Sequence, residues 1–226
     1  MKLLLFDIDG TLLTTDGAGR VALQLAANDV FGFDEDLSGV TIAGNTDTGI
    51  IREVLAKRSL PITEGNVNRY IGGYLARLRD QLAESPGVIL PGIRMLLDTI
   101  ATTGWTIGLL TGNVERGAQL KLTTHGINHY FSLGGFGDDH HDRNELGPIA
   151  KTRAEKFSNR LFAETDIYVI GDTPRDINCG RSFGARTIAV ATGSFAYEML
   201  QQEKPDFLFE DFSDTEEILK TIRGSR

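Results

Sequence analysis

The sequence predicts an α/β protein: a Rossmann-like, doubly wound parallel sheet with an all-helical cap domain inserted after its first strand. Three observations carry that prediction. A short continuous apolar run, Leu3 to Phe6, reads as a strand buried on both faces and runs straight into Asp7 and Asp9. Between residues 14 and 85 the apolar spacing is helical, with no strand-like run. From residue 92 onward, strand-like and helix-like segments alternate to the end of the chain. A helical block this long between consecutive strands reads as an insertion, so residues 1–13 and 86–226 are expected to form the α/β core and 14–85 the cap.

After the Gly-containing loop 12–19, helical spacing begins at Arg20, with Val21, Leu23, Leu25, Val30 and Phe31 as its apolar positions. Residues 37–49 form a second loop. The pairs Ile50/Val54 and Ile51/Leu55 mark a helix over 50–57. A third helix starts near Thr63 and presents Val67, Tyr70, Ile71, Tyr74, Leu75, Leu78 and Leu82 on one broad face. Glu84-Ser-Pro-Gly87 and Leu90-Pro-Gly92 punctuate the return to the core. Pro91 and Gly92 open a helix carrying Ile93, Leu96, Leu97 and Ile100, which Gly104 ends. Strands are predicted at 105–111, 130–133, 166–170 and 186–191, with an edge strand at 206–209. Helices are predicted at 116–124, 148–160 and 175–183, and from Thr215 to a frayed Gly-Ser-Arg at 224–226.

Composition narrows the function classes. A net charge of −8, from 23 Lys+Arg against 31 Asp+Glu, leaves no basic footprint for nucleic acid or an anionic membrane. Small anionic substrates stay open, because a metal or a few cations reverse the field inside one cleft. The single cysteine, Cys179, excludes an internal disulfide and fits a buried thiol. With no signal-like h-region and no membrane-length apolar run, the reading is a cytoplasmic protein; its state, monomer or homodimer, is left open by the sequence.

An isolated Asp-x-Asp-Gly is as readily a turn or a calcium-loop fragment as a catalytic site. Its weight comes from convergence. Carboxyl ends of parallel strands open onto one edge, which brings Asp7 and Asp9 together with Thr111-Gly112-Asn113 and with Gly171-Asp172-Thr-Pro-Arg-Asp176. Thr111-Gly-Asn alone also reads as a strand-to-helix turn with an N-cap. The ordered set, Asp-x-Asp-Gly-Thr at 7–11, the strand ending in Thr111, Gly-Asp-x-x-x-Asp at 171–176 and a helical insertion after the first motif, resembles the haloacid dehalogenase-like hydrolase superfamily. Within it, the chain looks like the phosphoglycolate-phosphatase-like members with a helical cap.

The resemblance implies phosphoryl transfer. Asp7 would be the nucleophile that forms an aspartyl-phosphate. Asp9 would be the general acid and base, an aspartate that phosphatases and phosphomutases of the superfamily have and its dehalogenases lack. Mg²⁺ would be held by Asp7, Asp172 and the Asp9 carbonyl, with Asp176 as an outer or water-mediated ligand. Thr111 and the loop around Gly112 and Asn113 would hold phosphate oxygens. Where the family usually has a lysine, this chain has Arg143 in Arg143-Asn-Glu-Leu-Gly-Pro148, and Lys151 is the rival.

Asp138-Asp-His-His-Asp142 reads as an acidic loop bordering the site rather than a second metal centre, and His125 and His129 as surface residues. The patch Phe195, Tyr197 and Met199 reads as packing. Specificity is expected from the cap, through the 17–20 region and Gly44-Asn-Thr-Asp47, with Arg20 and Thr46 as candidate substrate contacts. Related sugar-phosphate mutases carry an arginine in the second of these loops, where this chain has Asp47. The reading is therefore a Mg²⁺-dependent phosphatase for a small phosphorylated metabolite, phosphoglycolate or a relative of it. Its alternatives are a phosphomutase of the beta-phosphoglucomutase type and a non-enzymatic phosphoacceptor or binding protein.

Overall fold

The computed structural model describes residues 1–224. In chain order its elements begin with β1 (Leu3–Phe6), β2 (Leu13–Thr14), α1 (Ala18–Phe31), α2 (Asp47–Lys57), α3 (Glu64–Glu84) and β3 (Val88–Ile89). They continue with α4 (Ile93–Ala101), β4 (Thr106–Leu110), α5 (Glu115–Thr124), β5 (Gly134–Gly135), α6 (Leu146–Ser158), β6 (Ile167–Gly171) and α7 (Pro174–Ser182). The chain closes with β7 (Arg186–Val190), α8 (Tyr197–Gln202), β8 (Phe207–Phe209) and α9 (Thr215–Arg223).

Among the described residues, β5-β4-β1-β6-β7-β8 form one six-stranded sheet in which every pairing is parallel. The expected α/β class with a doubly wound sheet is what the chain adopts. β1 lies in its interior, between β4 and β6, which is why its side chains are apolar on both faces. Leu4 and Phe6 point into a core with α4, α5 and α9, whereas Leu3 and Leu5 face α6 and Cys179 of α7.

The predicted strand over 130–133 is corrected. Residues Asn128–Tyr130 form a 3₁₀ turn, and the pairing with β4 falls on Gly134 and Gly135 instead. Phe131 packs edge-on to Phe6 and Leu133 packs into the core, so these apolar residues fill space without joining the ladder. A side chain at Gly135 would meet the Leu146 carbonyl at 2.4 Å, so only glycine lets the start of α6 lie against this strand. Some helix boundaries also move: α2 starts at Asp47 rather than 50, because the Thr46 hydroxyl caps it by accepting from the Gly49 N–H at 2.9 Å.

The inserted helices α1, α2 and α3 have a core of their own, built from Ala22, Ala26, Ile51, Val54, Tyr70, Tyr74 and Leu78, which Val114 at the head of α5 joins. Two short strands the sequence reading did not foresee, β2 and β3, pair antiparallel where the chain leaves and re-enters the sheet domain. No described helix is long and apolar enough to cross a membrane.

Candidate active site

The carboxyl end of β1 delivers Asp7 into the interior. Its N–H donates to the Ile170 carbonyl of β6 at 2.9 Å, which fixes the backbone at the point where the side chain turns towards β6. Gly10 then takes φ +78°, a turn open to glycine, and a Cβ there would also run into the Asp172 carboxylate. Asp172 follows β6 and accepts from the Thr11 hydroxyl at 3.1 Å. Carboxylate oxygens of Asp7, Asp172 and Asp176 lie within 4.8 Å of one another, all buried.

Arg143 sits among them. Its Nη2 is 3.1 Å from Asp7 Oδ2 and 2.5 Å from Asp176 Oδ1. Burial raises Asp7 to about 6; the nearby guanidinium pulls it back down, and Asp176 pushes it up. Burial also lifts Asp172 well above the usual carboxylate range, helped by the like charges of Asp176 and Asp7. Burial works against charge on Arg143, but Asp176 and Asp7 beside it overcome that and raise its pKa.

One guanidinium facing three carboxylates leaves the cluster short of positive charge, and the free donors are hard oxygens, so these residues suit a small divalent cation. Asp7 and Asp172 are the direct candidates. Asp176 is otherwise occupied, with Oδ1 on Arg143 and Oδ2 accepting from the Thr173 N–H at 3.0 Å and hydroxyl at 2.7 Å in a capping box on α7.

The end of β4 supplies the second group. Thr111 is fully buried, accepts at Oγ1 from the Asn113 side-chain amide at 2.8 Å, and gives Asp7 a hydrogen bond that favours its ionised form. Asn113 Nδ2 also reaches Asp9 Oδ2 at 2.8 Å. The residue that sequence reasoning missed is Lys121 of α5, whose Nζ lies 2.6 Å from Asp9 Oδ2 and 2.7 Å from Asn113 Oδ1. A signal for it existed. Lys121 falls on the buried stripe of α5 with Gly117, Ala118 and Leu122, where a charge is out of pattern unless it has partners.

The cap helices lie over this cluster and bound a half-open cavity of 610 Å³. Asp7, Asp9, Gly112, Asn113, Lys121 and Arg143 line its core side; Gly19, Arg20, Leu23, Ile50, Asp47 and Tyr74 line the cap side. Arg20 reaches the cavity while its Nη2 donates to the Asp36 carbonyl at 3.3 Å. Thr46 is not on the cavity wall: beyond capping α2, its hydroxyl donates to the His141 carbonyl at 2.7 Å and so ties the cap to the core. Asp47 does line the cavity. Its N–H donates to the Gly112 carbonyl at 2.7 Å, and its carboxylate accepts from the Val114 N–H at 2.9 Å. Burial raises Asp47 to about 6 against the opposing pull of Lys121 and the Val114 N–H.

Lys151 lies on α6 and does not line the cavity. His125 contacts the Pro86 carbonyl at 2.8 Å, and the His129 ring lies tilted against Tyr130. In the 138–142 loop, Asp138 accepts from the Glu115 N–H, Asp139 pairs with Arg153, and Asp142 caps the turn at Arg143. The Cys179 thiol is buried, donates to the Arg143 carbonyl, and is raised to about 12 by burial.

An acidic strand-end centre under a helical cap defines a class of α/β hydrolases. The chain belongs to the haloacid dehalogenase-like hydrolase family, which it matches over residues 4–190. It is 27% identical over 219 residues to a protein of Dickeya dadantii named probable phosphatase IndB, covering 94% of this chain and 90% of that one. It is 26% identical to a phosphoglycolate phosphatase of Pasteurella multocida, with 97% and 98% covered. The fold also matches the crystal structure of a predicted phosphoglycolate phosphatase from Haemophilus somnus, with a TM-score of 0.73 at 23% identity over 97% and 98% of the two chains. A beta-phosphoglucomutase from Clostridium difficile matches with a TM-score of 0.74 at 18% identity over 99% and 98%.

Proposed function

We propose that the protein is a Mg²⁺-dependent phosphatase that hydrolyses a small phosphomonoester through an aspartyl-phosphate on Asp7. The observation that carries this is Asp7 itself, a buried carboxylate held at 3.1 Å by Arg143, beside Asp172 and on the wall of the cavity with Asp9. Mg²⁺ held by Asp7 and Asp172 would offset the negative charge of the phosphate. Asp7 attacks phosphorus, Arg143 and Thr111 hold the attacking carboxylate in place, and Asp9 protonates the departing alkoxide. Asp9 then takes a proton from the water that frees the phosphate. The cap keeps bulk water off the intermediate.

The names of the relatives support phosphoglycolate or a similar small phosphorylated metabolite as substrate, met in the cytoplasm, with Arg20 on the cavity wall to meet a second anionic group. The mutase alternative is disfavoured, because Asp47 offers a carboxylate, not a cation, to a second phosphate. A screen of phosphate release over phosphorylated metabolites, with Mg²⁺ and with chelator, tests the reading. The expected result is Mg²⁺-dependent release that Asp7→Asn abolishes while the circular dichroism spectrum is kept. A folded Asp7→Asn protein with full activity rejects it.

A further inference from the structure

Nothing in the phosphatase reading accounts for Lys121, since Arg143 already serves as counter-ion to Asp7. The Lys121 side chain is only 4% exposed, and a buried ammonium is tolerated when it is paired and hydrogen-bonded. Its partners form a closed ring: Lys121 Nζ donates to Asp9 Oδ2 and to Asn113 Oδ1, while Asn113 Nδ2 donates to the same Asp9 Oδ2. Asn113 Nδ2 is anchored in turn on the Thr111 hydroxyl. The cap roofs the ring. A Cβ at Gly19 of α1 would lie 3.5 Å from Lys121 Nζ and 3.7 Å from the Tyr74 hydroxyl of α3.

The two oxygens of Asp9 are therefore not equivalent. Oδ2 accepts from an ammonium and an amide, whereas among the described residues Oδ1 accepts from no protein donor. The Asp9 side chain is 42% exposed and lines the cavity. A carboxyl oxygen that carries a proton has too few lone pairs left to satisfy two further donors well.

Resting on the phosphatase reading, we propose that Lys121 is the positioning residue of the proton-transfer carboxylate: with Asn113 it claims Oδ2 of Asp9 and leaves Oδ1 to exchange the proton. In the first half-reaction the Asp7 oxygen bonds to phosphorus and the ester P–O bond breaks. The Oδ1–H bond breaks as the leaving oxygen takes its proton. In the second, water bonds to phosphorus, one of its protons passes to Oδ1, and the Asp7–phosphorus bond breaks to return the carboxylate and free phosphate.

The test separates this role from a merely structural one by leaving group. Acetyl phosphate expels acetate, which needs no proton, whereas an alkyl phosphate expels an alkoxide that does. kcat/KM, which reports only steps through leaving-group departure, is measured for acetyl phosphate and for the alkyl phosphate turned over fastest in the metabolite screen. Lys121→Met should lose about 100-fold on the alkyl phosphate and less than about 5-fold on acetyl phosphate. Lys121→Arg, which keeps a donor for Oδ2, should recover most of the alkyl activity. Lys121→Leu, which likewise lacks a donor, carries the same comparison if the Met variant does not fold. Equal losses on both compounds, or none on either, overturn the role of Lys121 and leave the phosphatase reading standing. A wild-type protein that releases phosphate from no compound overturns both.

Discussion

Arg143 does more than neutralise one carboxylate. Its guanidinium touches Asp7 and Asp176, and it donates to the Leu110 carbonyl at 3.3 Å and to the Gly44 carbonyl of the cap at 3.2 Å. Lysine, a single point of charge, cannot hold all four at once. Arg143→Ala removes the cation paired with the buried Asp7 and Asp176, and losing one partner of a buried pair costs about 3–5 kcal/mol. The melting temperature should then fall by about 10 °C and kcat/KM by at least about 100-fold. Arg143→Lys should keep most of the stability and lose more than about 10-fold in kcat/KM. Lys151→Ala should leave kcat/KM within about 2-fold of wild type, as steady-state kinetics beside a thermal scan will show. A collapse of turnover in Lys151→Ala with Arg143→Ala unaffected would transfer the role to Lys151. Sequence spacing held both cations open, because neither the irregular segment 136–145 nor the start of α6 reveals which of two side chains turns inward. Lys121 was less visible still: its partners Asp9 and Asn113 lie 112 and 8 positions away, and only the fold puts them side by side.

At the scale of elements, the head of α2 is the piece that fastens cap to core. Thr46 bonds the His141 carbonyl, Asp47 bonds both Gly112 and Val114, and Thr48 bonds the Gly137 carbonyl. The fit is tight: a Cβ on Gly112 would lie 2.0 Å from the Asn45 carbonyl. Gly112→Ala should therefore leave the core strands intact and hold the cap off them. The melting temperature should stay within a few degrees while kcat/KM drops about 10-fold or more. Unchanged kinetics in that variant would show that the contact is dispensable. Asp47 adds a pH signature. Its folded pKa, about 6, is raised above its ordinary 3.8, so its contribution to stability is fully present below about 4 and is lost as pH rises through 6. Asp47→Asn should thus gain on wild type by about 1 kcal/mol between pH 5 and pH 8, read from paired thermal scans. A constant difference across that range would show that Asp47 titrates normally. The elements themselves were largely legible, because strands buried on two faces and amphipathic helices differ in period. The contacts made by α2 were not legible, since they run through backbone N–H and C=O groups that have no residue identity. The β2–β3 ladder and the glycine strand β5 were missed for a related reason: two-residue strands carry no periodicity.

The whole molecule carries a net charge of −8, and it concentrates negative charge at its own centre, where Asp7, Asp172 and Asp176 share one guanidinium. Solvation cannot relieve that crowding in the interior, so protons or a divalent cation must. In the metal-free protein, burial raises Asp7 to about 6 and holds Asp172 well above the ordinary 3.8. Raised carboxylates favour the folded state most below about pH 4, and the Asp7 contribution disappears as pH climbs through 6. Mg²⁺ binds the ionised oxygens and competes with those protons, so its stabilisation should grow over the range in which the protons leave. At a concentration 100 times the dissociation constant, binding adds about 2.7 kcal/mol, or about 5–10 °C in a chain of this size. The expected result is a Mg²⁺-induced shift of that order at pH 8, little or none at pH 5, and a strongly reduced shift at pH 8 in Asp172→Asn. An equal shift at both pH values, or a full shift in Asp172→Asn, would place the cation away from these carboxylates.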